Sequence, residues 1–137
     1  MDEKESAWLA GLLRDAVWHL EENPGMTIQV EQEPNLWIQV IPQAGEAGEL
    51  ASFLLNMPYR EKQGDPLHTL GQVGVMLPPD TSADDWEDNG FATFGVRWDI
   101  PLVALALLVN DLLIKFLGAP ENHTITVQIE YGFQTSD

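Results

Sequence analysis

The sequence DIPLVALALLVNDLLIKFLG, residues 99–118, is the longest apolar stretch of the chain. Its composition predicts a buried helix of about 19 residues, roughly 28 Å long. Asp99 can cap the start of this helix, and Gly118 and Pro120 can end it. Polar side chains interrupt the apolar surface at three positions, which are Asn110, Asp111 and Lys115. They predict a narrow solvent-exposed stripe along the helix, and other elements must cover the rest of its surface.

The composition is that of an acidic globular protein. The 137 residues include 22 acidic and 6 basic side chains, which give a formal charge of −16, while 45% of the residues are hydrophobic. A field of this sign repels nucleic acid and anionic membranes, so we expect neither as a partner. The charge would attract a basic partner; alternatively, it serves only solubility.

Length and residue usage also bear on domain organisation and location. The length fits a single domain over residues 1–137. Cysteine is absent, which excludes disulfides and thiol chemistry. The charged start, MDEKESAW, lacks the apolar core of a signal peptide, and the apolar run of the long helix ends at Asn110, too early to span a bilayer. We therefore expect a cytoplasmic protein.

The first third of the chain predicts one helix and two strands. Residues 2–22 have the periodicity of an amphipathic helix, with Asp2 and Glu5 at capping-box spacing. Residues 26–32 and 36–41 alternate between apolar and polar side chains, as half-buried strands do. Because the loop between them is short, the two strands should pair antiparallel.

The remaining segments complete an α+β chain. Residues 50–57, LASFLLNM, fit either a short helix or a strand that is apolar on both faces, and we predict the strand. A polar linker over 59–65 comes next. It is followed by a short helix over 66–76, an acidic loop over 78–90, a strand over 91–98 and a last strand over 124–131. The order α-β-β-β-α-β-α-β predicts a mainly antiparallel sheet with the helices packed on one face.

The outer face of the second strand is unusually apolar. Trp37 and Ile41 project to one side with Gln39 between them, whereas the matching face of the first strand is polar. Either a loop covers them, such as 43–49 or 78–90, or they form a binding surface for a second copy or a client protein. The candidate binding residues are Trp37, Gln39, Ile41, Phe53 and Trp86.

Motifs for catalysis or metal binding are missing from the sequence. The acidic loop imitates the first half of an EF-hand calcium loop at Asp85, Glu87, Asn89 and Gly90. The twelfth position is Val96, however, where calcium requires a bidentate glutamate. The histidines lack ligand spacing among themselves and with nearby acids; they are His19, His68 and His123. We therefore expect no metal, no cofactor and no enzymatic activity.

Several short segments fit one known family. They are the amphipathic helix ending near Glu22, LWIQV at 36–40, LASFLLNM at 50–57, HTLG at 68–71, EDNGF at 87–91 and the long helix before GAP at 118–120. With them the chain resembles the type III secretion chaperone-like superfamily, including its YbjN-type branch. The resemblance implies a small acidic protein that is not an enzyme, that forms a homodimer and that holds extended client segments against apolar patches. The acid excess would suit a basic client.

A different class of protein remains open on the same residues. An inhibitor or immunity-type protein would use an acidic surface to block a basic enzyme. It would need its acidic side chains clustered on one face, and one stretch of the sequence is dense enough. Its members are Asp80, Asp84, Asp85, Glu87 and Asp88.

Overall fold

The computed structural model describes residues 2–59 and 64–132, which fold into three helices and a six-stranded antiparallel sheet. In chain order the elements are α1 (Glu3–Trp18), a 3₁₀ turn (Leu20–Glu22), β1 (Gly25–Val30), β2 (Trp37–Ala44), β3 (Leu50–Tyr59), α2 (Pro66–Gln72), β4 (Ser82–Trp86), β5 (Gly90–Arg97), α3 (Leu102–Asp111), a π-helical turn (Leu112–Phe116) and β6 (Ile125–Glu130). The strand order is β4-β5-β3-β2-β1-β6. The predicted α+β class is confirmed.

The core lies between one face of the sheet and the helices α1 and α3. Leu9 and Leu13 of α1 and Leu105 of α3 join the inward side chains of the strands, such as Ile38 and Phe53, in one cluster of buried residues. Both helices bury their apolar side against the same sheet face, because a sheet with one apolar face needs a single helical layer to cover it. We call the opposite side of the sheet the outer face.

The long helix begins later than the sequence predicts. Pro101 occupies the N-cap position of α3 and its side chain caps nothing. The carboxylate of Asp99 instead accepts a 3.0 Å hydrogen bond from the guanidinium of Arg97. The C-terminal end agrees with the prediction: the helix widens into the π-helical turn and stops before Gly118, whose φ of 85° is the left-handed conformation that glycine adopts readily.

The predicted solvent-exposed stripe of this helix is confirmed at Asp111 and Lys115, whose side chains are each 44% exposed, but it is wrong at Asn110 and it extends further towards the N-terminus. Asn110 is buried, at 9% exposure, whereas Leu107 is 45% exposed and Val103 is also exposed. The cause is that the sheet and α1 cover only one side of α3. A helix that is apolar nearly all round must then leave some apolar side chains in solvent.

The acidic stretch contains a strand that the sequence analysis missed. Residues 82–86 form β4, which pairs with β5 at the edge of the sheet. The turn between them has Asn89 at a φ of 60°, and the Glu87 N–H donates to the Phe91 carbonyl at 2.9 Å. An edge strand keeps its charged side chains in water, so it does not show the apolar alternation by which buried strands are recognised.

Other boundaries shift by a few residues. α1 ends at Trp18, and Asn23 at a φ of 52° ends the 3₁₀ turn that follows it. α2 ends at Gln72 because Gly74 turns the chain at a φ of 81°. The antiparallel pairing of β1 with β2 is confirmed.

The strand assignment for 50–57 is also confirmed, and β3 runs on to Tyr59. That residue, predicted as part of a polar linker, is fully buried and its hydroxyl donates to the Gly64 carbonyl at 2.8 Å. The rest of the predicted linker includes residues 60–63, which lie outside the described residues. In the described part of the chain, no helix combines the length and hydrophobicity that crossing a membrane requires.

Candidate binding surfaces

Two aromatic rings meet on the outer face of the sheet. Trp37 of β2 and Phe91 of β5 have ring centroids 5.9 Å apart, although β3 lies between their strands. Adjacent strands are separated by about 4.8 Å, so the two rings bridge a gap of roughly 10 Å above β3. Pro58, which is opposite Phe91 in β3, completes an apolar row across three strands. We call Trp37, Pro58 and Phe91 the aromatic row.

Exposure differs sharply along the aromatic row. Pro58 is buried and Trp37 is half-buried, but Phe91 is 51% exposed. Neither ring belongs to the core that α1 and α3 cover. The row therefore offers an apolar contact area, centred on Phe91, on the sheet face that α1 and α3 do not cover.

A polar row runs beside the aromatic row. The Asn56 Nδ2 donates to Gln39 Oε1 at 3.1 Å, and the Thr93 hydroxyl donates to Asn56 Oδ1 at 3.2 Å. These bonds link β2, β3 and β5 through side chains on the outer face. Gln39, predicted as a binding residue, thus has a partner within its own sheet, and the bond orients its amide.

The structure brings together three of the five predicted site residues. Trp37, Gln39 and Ile41 share the outer face, and Ile41 lies opposite Leu54 of β3. Ile41 is only 5% exposed, so it supports the surface more than it offers area for contact.

The other two predicted residues lie elsewhere. Phe53 is fully buried in the core on the helix side of the sheet, so it cannot contact a partner of the outer face. Trp86 is in register with Ala92, a core residue, and therefore also lies on the helix side. A register shift between Ala83 and Asp85 changes which side chains of β4 face each way, and the sequence does not reveal it.

The two loops proposed as covers extend the sheet. Residues 43 and 44 belong to β2, and the Gly45 N–H donates to the Glu49 carbonyl in the turn that leads to β3. Within 78–90, Ser82–Trp86 is the edge strand β4. The residue that meets Trp37 is Phe91, which sequence reasoning missed because only the strand order shows that β5 lies one strand beyond β3.

A second surface is a groove beside α3. A cavity of about 510 Å³ lies between residues 76–79, residues 99–101 and the side of α3 that bears Ala104 and Leu107. Met76 is 88% exposed and Leu107 is 45% exposed. We call this cavity the α3 groove. Its signal in the sequence is the run of leucines and valines in the long helix, a pattern that by itself predicts only core.

Two cations tether the walls of the α3 groove. The Arg97 guanidinium contacts Asp80 and Asp99, each with an N–O distance of 3.0 Å. The hydrogen bond from Asp80 and the charge of Asp99 raise the pKa of Arg97 above its ordinary value. At the other side, the Lys115 ammonium lies 3.4 Å from the Gly74 carbonyl. Residues 74–80 are thereby linked to β5 and to the end of the long helix.

One group of metal-ligating side chains comes together that the sequence spacing did not indicate. Ligand atoms of His19, Glu21 and Glu22 lie within 4.8 Å of one another, because the 3₁₀ turn after α1 brings them to one side. His19 Nδ1 is 3.0 Å from a Glu22 carboxylate oxygen. The group is at the surface, and the contact between His19 and Glu22 accounts for its closest approach. The EF-hand imitation, in contrast, begins inside β4 at Asp85, so it does not form a calcium loop.

Comparison with known proteins adds no assignment. No protein-family model matches the chain, and no curated protein and no solved structure is similar enough to count as a match. The fold and the two surfaces described above are consequently the basis for assigning a function.

Proposed function

We propose that this protein is a non-enzymatic, chaperone-like module that holds a segment of a client protein against the outer face of its sheet. The observation that supports this is the aromatic row, which lies on the sheet face that α1 and α3 leave open. Aromatic side chains are enriched among the residues that carry most of the energy of protein–protein binding. Phe91 is the exposed anchor and Trp37 is its supporting neighbour.

Charge favours a basic client. The formal charge of −16 attracts cationic segments from a distance. On the same side of the sheet as the aromatic row, Asp84 of the edge strand lies over β5: a Cβ at Gly95 would come within 2.9 Å of an Asp84 carboxylate oxygen. Apolar side chains of the client would pack on Phe91 while its lysines or arginines face the carboxylates of β4.

The proposal includes a homodimer, as the resemblance to the type III secretion chaperone-like superfamily implies, and a cytoplasmic location. The α+β order and the acidic composition support that resemblance. An extended client can also add to an open sheet edge, where its backbone pairs with a strand. In the described part of the chain the sheet ends at β4 on one side and at β6 on the other.

The test is suppression of aggregation of a reduced, basic protein such as lysozyme. We expect the wild type to slow aggregation and Phe91→Ala to need roughly tenfold more protein for the same effect. Trp18→Ala is the matched control, because Trp18 is an 80% exposed aromatic residue on α1. Equal protection by wild type and Phe91→Ala would show that the aromatic row does not bind the client.

Sedimentation and thermal melts of Trp37→Ala complete this test. We expect the variant to lose client binding or self-association while its melting temperature falls only modestly, because Trp37 is outside the core cluster. A monomeric wild type together with a severely destabilised variant would instead assign Trp37 a purely structural role.

One observation favours a second candidate, an acidic inhibitor of a basic enzyme. The acidic residues of β4 and its turn, among them Asp84, Asp85 and Glu87, are exposed along one edge of the sheet. An inhibitor would lose binding when Asp84 and Asp85 become asparagine, would release its partner in salt and would tolerate Phe91→Ala. The chaperone-like function predicts instead that Phe91→Ala weakens binding more than the asparagine substitutions do.

A further inference from the structure

The α3 groove exposes neighbouring apolar side chains, whereas most protein surface mixes polar and apolar ones. Met76, Leu107 and Ala104 are exposed around one cavity, and contiguous exposed apolar surface commonly marks a binding site. Its volume of about 510 Å³ is within the range of sites that bury a ligand's apolar groups. The groove borders α3, on the helix side of the sheet, so it is separate from the aromatic row.

The walls of the groove favour a helical occupant. One wall is α3, on which Ala104, Leu107 and Asp111 recur at the spacing of one helix face. The other wall contains Pro78 and Pro79, which have no N–H group to donate. An extended chain would find few backbone partners there, whereas a helix satisfies its own backbone hydrogen bonds and needs only side-chain contacts.

The rim of the groove carries three carboxylates and two cations, so its own net charge is slightly negative. Two of the carboxylates, those of Asp99 and Asp111, line the cavity. The third, that of Asp80, contacts Arg97, which also lines the cavity. Arg97 is already shared between two of these carboxylates, and Lys115 is 3.9 Å from the third. With an overall charge of −16, the surroundings repel an anionic segment and attract a cationic one.

We propose that the α3 groove binds a basic amphipathic helix from another protein. Large apolar side chains of that helix, at i, i+3 or i+4 and i+7, insert between Leu107 and Met76. Lysine or arginine side chains beside them face Asp80, Asp99 and Asp111 at the rim. This is a second binding site, and it does not depend on the sheet-face function.

The test uses the full chain and a labelled synthetic peptide of about 14 residues, four helical turns, made of leucine and lysine with the leucines on one face. A second peptide has the same composition with the leucines scattered around the helix. We expect fluorescence anisotropy to show at least about tenfold tighter binding of the first peptide. Leu107→Ser should remove most of this difference, and Trp18→Ser, a change at an exposed aromatic residue on α1, should leave it intact.

Met76→Ser keeps the test decisive if Leu107→Ser folds poorly, because Met76 is 88% exposed and contributes little to the core. Equal binding of the two peptides, or wild-type binding by both serine variants, would mean that charge alone attracts the peptide and would overturn the proposal. Loss of binding in Phe91→Ala but not in Leu107→Ser would place the peptide on the sheet face. That result would refute the groove site and leave the sheet-face function standing.

Discussion

Alanine substitution at Leu107 and at Leu108 compares two neighbouring leucines of α3 in opposite environments. Leu108 is 5% exposed and belongs to the core cluster, whereas Leu107 is 45% exposed at the α3 groove. Consecutive side chains on a helix point about 100° apart, so neighbouring residues of one turn can lie in a buried and an exposed environment. The atoms removed are identical, and the difference in cost reports only the surroundings.

The expected magnitudes follow from burial. Leu108→Ala should lower the free energy of unfolding by about 2–5 kcal/mol, because it loses buried methyl groups and leaves a cavity. Full burial of a leucine side chain is worth about 1.5–3 kcal/mol, and Leu107 is buried by only about half, so Leu107→Ala should cost about 1 kcal/mol. Its space opens to solvent, and the higher helix propensity of alanine offsets part of the loss.

Urea unfolding measures the two values. For an m-value of about 2 kcal/mol/M, a loss of 3 kcal/mol moves the midpoint by roughly 1.5 M and a loss of 1 kcal/mol by roughly 0.5 M. Equal midpoints for the two variants, with equal m-values, would refute the orientation assigned to α3. A larger loss in Leu107→Ala would mean that something covers the groove in solution.

Three further predictions concern stability, the first two measured by urea unfolding and the third by thermal melts. Lys115→Ala should lower the free energy of unfolding by less than about 1 kcal/mol, because the ion pair of Lys115 with Asp111 is exposed and 3.9 Å long. A loss as large as that of Leu108→Ala would contradict this. Asn110→Leu should raise stability by about 1 kcal/mol, because the buried Asn110 Oδ1 has no hydrogen-bond partner among the described residues; a marked loss would show that the amide has an essential contact. A chelator should leave the melting temperature unchanged, and millimolar calcium should stabilise no more than magnesium does; saturable stabilisation by calcium alone, lost in Asp85→Ala, would show a real calcium site.

Local chemistry was sufficient to predict most elements of the fold. The Asp2 carboxylate accepts a 2.8 Å hydrogen bond from the Glu5 N–H, as the spacing of the two residues predicted for the start of α1. The alternation in residues 124–131 predicted β6, and its inward residues Ile125, Val127 and Ile129 do contact the core. Signals of this kind depend on neighbours within a few residues, so the sequence displays them directly.

Elements that depend on distant neighbours were predicted less well. β4 has five mostly polar residues and exists because β5 offers it an edge to pair with. The exposed side of α3 was predicted only at its C-terminal end, by Asp111 and Lys115. A segment apolar on nearly all sides carries no periodic signal, and only the position of α1 and the sheet shows that Leu107 faces outward.

The candidate sheet surface was predicted in part, for the same reason. The period of two along β2 placed Trp37 and Ile41 together on one face, which the structure has. The partner of Trp37, however, is Phe91, which is 54 positions later in the numbering and belongs to a strand beyond β3. Pairing between strands distant in the chain is selected by the packing of the whole sheet, not by any local pattern.

The amino-acid sequence alone therefore established the acidic charge, the α+β class and the side of each well-patterned strand that faces inward, because charge and short-range periodicity are properties of neighbouring residues. Tertiary structure alone decided the strand order, the outward turn of Leu107 and the meeting of Trp37 with Phe91. These features depend on which distant surfaces bury one another. The removal of apolar area from water drives that burial, and it leaves the aromatic row and the α3 groove where the helical layer does not reach.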